Sequence, residues 1–350
     1  MSGTERQIGV RVTTLASGEE AAWDRFVMAC PEATFFHRVG WKRVIEEAFG
    51  HRSHFLLARR GVEICGVLPL VQVRTLLFGH SLVSLPFCVY GGVAASDEES
   101  RLALEGHAEA LAVTLGVDWL ECRNCVPRRS EWSSKELYYT FRKSFDPDPA
   151  VNLAAIPRKQ RAEVRRGVQH GLVGVRAEGI QGRCFDIYAE SVRNLGTPIF
   201  SRRLFVLLQE EFADDCEGLV IERGGRAVAA VVSFYFRDQV LPYYGGGRPE
   251  ARGCGAMAFM YWELMRLAAE RGASLFDFGR SKKGSGSFDF KRYYGFDPEP
   301  LHYRYRLVGG TALPEVNPMN PKYRLLIAAW KHLPLFVAGK VGPWLARGLG

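Results

Sequence analysis

The chain repeats itself, and that repetition limits its fold more than any other feature. From Phe55 it reads FLLARRGVEICGVLPLVQV, then Tyr-Gly-Gly at 90–92, RLALEGHAEALAVTLG and VDWLECRN. From Gly218 it reads GLVIERGGRAVAAVVSFYF, then YYGGG at 243–247, AMAFMYWELMRLAAERG and ASLFDFGR. Matching positions lie 164 residues apart at Gly61 and Gly225, 154 apart at Gly91 and Gly245, and 157 apart at Arg123 and Arg280. A nearly constant offset over successive segments means a duplicated domain.

In each copy, alternating β-branched residues around a glycine turn predict a strand pair, and apolar residues at helical spacing predict the following helix. Met257, Met260, Tyr261, Leu264 and Ala268 fall on one helical face and are expected in the core. The fold class is therefore mixed α/β (α+β). The expected domains are 1–150 and 151–310, followed by a basic, apolar tail at 311–350. The boundary is placed in SFDPDPAVNL, residues 144–153, where two Asp-Pro steps break helix and favour turns.

At 350 residues and 47% hydrophobic, the chain is long enough for two cores. Residues 1–15 lack the apolar stretch of a signal peptide, and no run approaches the roughly 20 residues that cross a bilayer, so a cytosolic protein is expected. Six of the eight cysteines are scattered singly, as reduced thiols would be. Cys122 and Cys125 have metal-like spacing but no second Cys/His pair, so no metal is expected.

The formal net charge of +8 is concentrated in two places. Residues 281–350 hold eleven Lys/Arg against four acids, and residues 156–172 hold five against one; the remainder is net acidic. Such zones attract phosphate, nucleic acid or anionic lipid. IPRKQRAEVRRGVQHGL, 156–172, reads as a helix with Pro157 in its first turn. Arg158, Arg161 and Arg165 form one stripe, Lys159, Arg166 and His170 another, and Val164 and Val168 lie opposite. With only Glu163 to offset them, the cations repel one another, which favours an anionic partner.

DFGRSKKGSGSFDFKRYYGF, 277–296, approaches two phosphate motifs and matches neither. A P-loop places Lys and Ser/Thr after its second glycine; here Lys282 and Lys283 precede Gly284. A kinase would carry an HRD catalytic loop, and the chain has none. Gly279, Gly284 and Gly286 read as a mobile loop that could meet a ligand backbone-first, with Arg280, Lys282, Lys283, Lys291 and Arg292 around it. Tyr293, Tyr294 and Phe296 read as core.

The duplicated order, the basic helix between copies and Phe-Asp-Phe-Lys-x-x-Tyr-Gly-Phe at 288–296 resemble the FemAB-like aminoacyltransferases of the GNAT superfamily. FFHRVGWKRVIEEAFGH at 35–51, SLPFCVYGG at 84–92, RNLGTPIFSRR at 193–203 and NPMNPKYR at 317–324 narrow the resemblance to proteins associated with exosortase/PEP-CTERM and exopolysaccharide systems. The resemblance implies tandem GNAT-like domains with a cleft between them. It also implies transfer of an aminoacyl or acyl group, from tRNA or acyl-CoA, to an amine of an envelope or polysaccharide precursor, with no tightly bound cofactor.

Lys291 matches the lysine of the family's Phe-Lys motif, which implies a role in binding phosphate or stabilising developing negative charge. Asp277, at a strand end before a glycine turn, is the candidate base, or else a turn-capping carboxylate. Substrate-binding candidates are Arg158, Arg161, Arg165, Arg280, Lys282 and Lys283, with Tyr244, Gly245 and Gly246 of the second Tyr-Gly-Gly and Trp41 and Lys42 of the first copy. Acyl-CoA-using relatives hold pyrophosphate on Gln/Arg-x-x-Gly-x-Gly/Ala at a helix start. Arg252, Gly253 and Gly255 are the candidates here, although Glu250 occupies the first position of that motif. The tail fits either core packing or interfacial membrane attachment. A non-catalytic RNA- or membrane-binding protein on the same fold is the competing class.

Overall fold

The computed structural model describes residues 9–75, 79–127, 131–310 and 321–348. Residues 1–8 and residues 317–320 of the NPMNPKYR stretch lie outside the described residues. The first copy comprises β1 (Val10–Thr14), α1 (Glu20–Ala29), α2 (Gly40–Phe49), β2 (Arg52–Arg60), β3 (Glu63–Thr75), β4 (Gly79–Ser84), β5 (Ala94–Ala95), α3 (Glu98–Leu115), β6 (Trp119–Asn124) and β7 (Ser133–Lys135). Then come β8 (Tyr138–Ser144), α4 (Pro149–Ala155), α5 (Arg158–Gln169), β9 (Leu172–Arg176), α6 (Phe185–Leu195), α7 (Arg202–Phe212), β10 (Cys216–Arg223), β11 (Arg226–Phe236), β12 (Gln239–Gly247), α8 (Ala256–Glu270) and β13 (Leu275–Asp277). The chain finishes with β14 (Ser281–Lys282), α9 (Gly286–Tyr293), β15 (Pro298–Pro300), β16 (His302–Leu307), α10 (Pro321–Lys331) and α11 (Leu335–Ala346).

Two compact units result, one from Met1–Lys135, His302–Glu315 and Gly348–Gly350, the other from Glu136–Leu301 and Val316–Arg347. Each has its own sheet. The first runs β1-β2-β3-β4-β6-β16-β7 with β5 also against β3, and the second β9-β10-β11-β12-β13-β8-β14 with β15 also against β8. The duplication extends to detail. Both hairpins turn on two residues, Arg60 facing Glu63 and Arg223 facing Arg226, and both carry a bulge just inside the turn, between Ala58 and Arg59 and between Ile221 and Glu222. In both sheets the strand after the long helix pairs parallel, β6 with β4 and β13 with β12.

Three sequence expectations change. Each copy begins earlier than the visible repeat, with a strand and two helices: β1-α1-α2 and β9-α6-α7. The two Tyr-Gly-Gly segments are not equivalent, since Tyr244–Gly246 lies within β12 while Tyr90–Gly92 lies in a non-strand segment between β4 and β5. The division also falls between 135 and 136 rather than near 150, because Tyr138–Ser144 pairs with β13 of the second sheet. The Asp-Pro step instead starts α4: Asp148 Oδ1 accepts the Ala150 N–H at 2.8 Å, with Pro149 in the first turn.

The second core gathers Phe259, Met260, Leu264, Ala268, Phe276, Phe278, Tyr294 and Phe296, with Met257 and Tyr261 packed against it, as the helical face predicts. Phe278 sits edge-on to Phe276, Tyr261 and Phe296, with centroids 4.9, 4.6 and 4.8 Å away. Aromatic pairs of this geometry contribute about 0.5–1.5 kcal/mol each beyond area burial, so they anchor the end of β13 firmly. Tyr293, expected in the core, is instead 58% exposed.

Candidate functional site

The candidate site lies where two strands part. β12 and β13 pair only at Gln239↔Leu275 and Val240↔Phe276, whereas β12 continues against β11 as far as Gly247. Past Val240 the β12–β13 ladder ends, and a gap between adjacent strands is where an extended ligand can insert.

Asp277 ends β13 and is 1% exposed. Its neighbours Phe276 and Phe278 enter the core, so the two-residue period of a strand turns Asp277 to the other face. Oδ1 accepts the Gly279 N–H at 2.8 Å and the Thr140 hydroxyl at 3.4 Å, and Arg142 Nε lies 3.6 Å from Oδ2. Gly279 has φ +64°, a left-handed conformation that costs a glycine little.

Lys291 holds the same turn from its carbonyl side. The Ser285 hydroxyl accepts the Phe288 N–H at 3.3 Å and starts α9. From that helix Lys291, 8% exposed, donates from Nζ to the carbonyls of Phe278 (2.7 Å), Gly279 (3.0 Å) and Arg280 (3.1 Å). The ammonium also lies over the Phe141 and Phe278 rings, 5.4 and 5.7 Å from their centroids. Burial pushes it from 10.5 down to about 7, with the Asp277 carboxylate opposing. The three carbonyls also favour the protonated form, and they take up all three of its donors.

The glycines expected to form a mobile loop are therefore placed differently. Gly279 sits in a turn gripped by Asp277 and Lys291, Gly284 follows β14 at φ +79°, and Gly286 is the first residue of α9. Arg280 lies over the Tyr138 ring at 4.7 Å and Lys283 over Tyr139 at 6.0 Å, while burial lowers the Lys282 ammonium. No local signal in the sequence points to Thr140 and Arg142, because the β8 residues that pair with β13 lie 131 to 135 residues upstream of their partners.

The first unit treats its own parted strands differently. After Ser84, chain segment 85–93 intervenes before β5, with Leu85 and Phe87 at φ +54° and +67°. Buried Arg123 holds that segment: its guanidinium donates to the carbonyls of Leu85 (3.4 Å) and Cys88 (2.7 Å) and pairs with Glu121 at 2.8 Å. The Tyr303 hydroxyl donates to the Val89 carbonyl. His37 Nδ1 accepts the Thr34 N–H at 3.0 Å, so Nε2 carries the proton donated to the Gly92 carbonyl at 2.8 Å. In the second unit β12 runs through the corresponding region as continuous strand.

The remaining candidates divide. On α5, Arg158, Lys159, Arg165 and Arg166 are exposed, as expected of a cationic rail; Arg161 donates to the Ala154 carbonyl at 2.7 Å. Arg166 does find a partner, Glu163 at 3.0 Å, and of the two valines only Val164 is buried. Gly255 caps α8 at φ +71°, and a Cβ there would strike the Glu163 carbonyl of α5, whereas Gly253 and Arg252 are exposed. Gly246 admits Ser191 of α6 and Gly245 the backbone of Val231 and Ala230, so these glycines serve close packing. Tyr244 is buried among the rings of Tyr188, Phe205 and Tyr243. In the first unit Trp41 is wholly buried against Phe35 and Phe36, and Lys42 pairs with Glu46 at 2.8 Å. Among the described residues no group of His, Cys, Asp or Glu is placed to hold a metal, and no helix is long and apolar enough to cross a membrane.

The arrangement is that of a tandem GNAT-like fold. Residues 156–292 match the acetyltransferase (GNAT) domain model. The crystal structure of FemX is similar over 91% of this chain and 100% of its own, with a TM-score of 0.67 and 13% identity. A tandem GNAT protein from the clavulanic acid biosynthesis pathway matches over 87% of this chain and 100% of its own (TM-score 0.54, 13% identity). A conserved protein of unknown function from Bacteroides thetaiotaomicron matches over 85% and 99% (TM-score 0.57, 11% identity). No curated protein matches the chain in sequence.

Proposed function

We propose that this protein transfers an aminoacyl or acyl group to the amine of a cell-envelope or exopolysaccharide precursor, with the chemistry in its second unit. The observation that carries this reading is the parted β12–β13 pair with Asp277 and Lys291 buried at its end. In such a transfer the amine attacks the donor carbonyl, a C–N bond forms, the C–O or C–S bond to the donor breaks, and the amine loses a proton. Strand N–H groups along the gap serve the oxyanion, and Lys291 adds positive charge close by. Asp277 is the proposed proton acceptor or acceptor-orienting carboxylate.

Aminoacyl-tRNA is the favoured donor. The exposed cations of α5 suit a phosphate backbone. The pyrophosphate motif fits poorly, since Gly255 is covered by the Glu163 carbonyl and Glu250 is an exposed acid. An exosortase-associated or exopolysaccharide acceptor is proposed from the sequence resemblance. The test is filter binding of labelled aminoacyl-tRNA, with uncharged tRNA and acetyl-CoA as competitors, alongside a transfer assay of Lys291→Ala. Retention that acetyl-CoA cannot displace, together with loss of transfer in a folded variant, supports the reading. Full activity of Lys291→Ala refutes the role of Lys291, and displacement by acetyl-CoA refutes the choice of donor.

A further inference from the structure

α11 is seated by its smallest residues. Ala338, Gly342 and Ala346 are buried, and a Cβ on Gly342 would come within 2.7 Å of the Ile199 nitrogen and 2.8 Å of its carbonyl oxygen. Four-residue spacing keeps these three on one face, so the large side chains point away from the protein. Phe336 is 72% and Trp344 63% exposed, and Leu335 and Val341 are exposed as well. Lys340 and Arg347, also exposed, share the outward stripe with Phe336 and Trp344, all four within an arc of about 80°. On α10, Leu326 and Lys331 are exposed while Trp330 is buried. Residues 321–350 contain five Lys/Arg and no Asp or Glu.

A helix that buries glycine and alanine while presenting phenylalanine and tryptophan to water is incomplete without an apolar medium. We propose that α11, assisted by α10, docks this protein on the surface of a bilayer containing anionic lipid. The aromatic side chains would enter the headgroup–acyl boundary, and Lys340 and Arg347 would meet lipid phosphate. A second copy is a poor occupant, because a two-fold interface would set two basic helices that lack acids against each other. Nucleic acid would use the cations and rings but leave the exposed aliphatic Leu335, Val341 and Leu326 in water. The docking does not depend on the identity of the acyl donor or acceptor.

Co-sedimentation of the full chain tests this, using phosphatidylcholine vesicles with and without phosphatidylglycerol at on the order of one third of the lipid. Binding is expected only to the anionic vesicles and is expected to weaken with salt. Phe336→Ala/Trp344→Ala and, separately, Lys340→Glu/Arg347→Glu should each weaken it by roughly tenfold or more, with unchanged circular dichroism. Three outcomes overturn the proposal: no preference for anionic vesicles; wild-type vesicle binding by both folded double variants; or a dimer or tRNA complex that the aromatic variant abolishes while vesicle binding persists.

Discussion

Asp277 and Lys291 grip the same glycine from opposite sides: Asp277 Oδ1 accepts the Gly279 N–H at 2.8 Å, and Lys291 Nζ donates to the Gly279 carbonyl at 3.0 Å. Each therefore fixes the turn that ends at Arg280 as well as placing charge at the strand gap. Lys291→Met, which keeps most of the side-chain volume, should lower transfer about 100-fold or more, since it removes both the charge and the clamp. A steady-state assay with the variant's melting temperature measured alongside decides the matter. Wild-type turnover would mean that the lysine only supports the turn.

The same residue predicts a pH signature in stability. Lys291 titrates near 10.5 when unfolded and at about 7 when folded. Between those values the unfolded chain binds a proton that the folded chain has released, so this group makes stability rise with pH from about 7 to 10.5 and adds no slope below that window. The gain is about 1.4 kcal/mol per pH unit within it. Urea midpoints of wild type and Lys291→Met should diverge between about pH 7 and about pH 9.5; parallel midpoints would contradict the lowered value.

Gly246 and Ser191 predict a coupled pair. A methyl group at 246 would collide with the Ser191 side chain, so Gly246→Ala should cost about 1–3 kcal/mol through overpacking. Adding Ser191→Gly should return part of that loss. A double-mutant cycle by urea unfolding measures the coupling, and strict additivity would show that the strand and helix are free to move apart.

In the first unit, Arg123→Met should be among the most damaging single changes. It strands the mostly buried Glu121 carboxylate and frees the carbonyls of Leu85 and Cys88. The expected loss is about 3–5 kcal/mol, partly recovered by combining it with Glu121→Gln. Denaturant unfolding of Arg123→Met and of the double variant tests this; a double variant no more stable than Arg123→Met would contradict it.

For α5 the readout is salt. If Arg158 and Arg165 contact RNA phosphates, replacing each with Ala should lower the slope of log K against log salt by about one for tRNA binding. Filter binding over a salt series measures it; unchanged slopes would mean that the rail is merely solvated.

Much of each unit was legible in the sequence, because its information was local. The hairpins, the long helices and the buried face of α8 follow from two- and 3.6-residue periods, and Met260, Leu264 and Ala268 are indeed buried. What failed was non-local or lay at an edge. Nothing in YYTFRKS says that it will pair with Leu275–Asp277, so Thr140 and Arg142 went unseen. Val168 and Tyr293 fit apolar patterns but face solvent, while their immediate neighbours Gly167 and Tyr294 are the residues that pack. The Phe-Lys motif located Lys291, but the motif does not encode the three carbonyls around it.

The exchange of strands between distant stretches of sequence has a consequence for synthesis. β6 acquires its neighbour β16 only when residues 302–307 have left the ribosome, after nearly all of the second unit. Until then the first sheet carries a bare edge along Trp119–Asn124, a template for unwanted pairing with other nascent chains. Chaperone protection during that interval would matter most for the half of the protein made first.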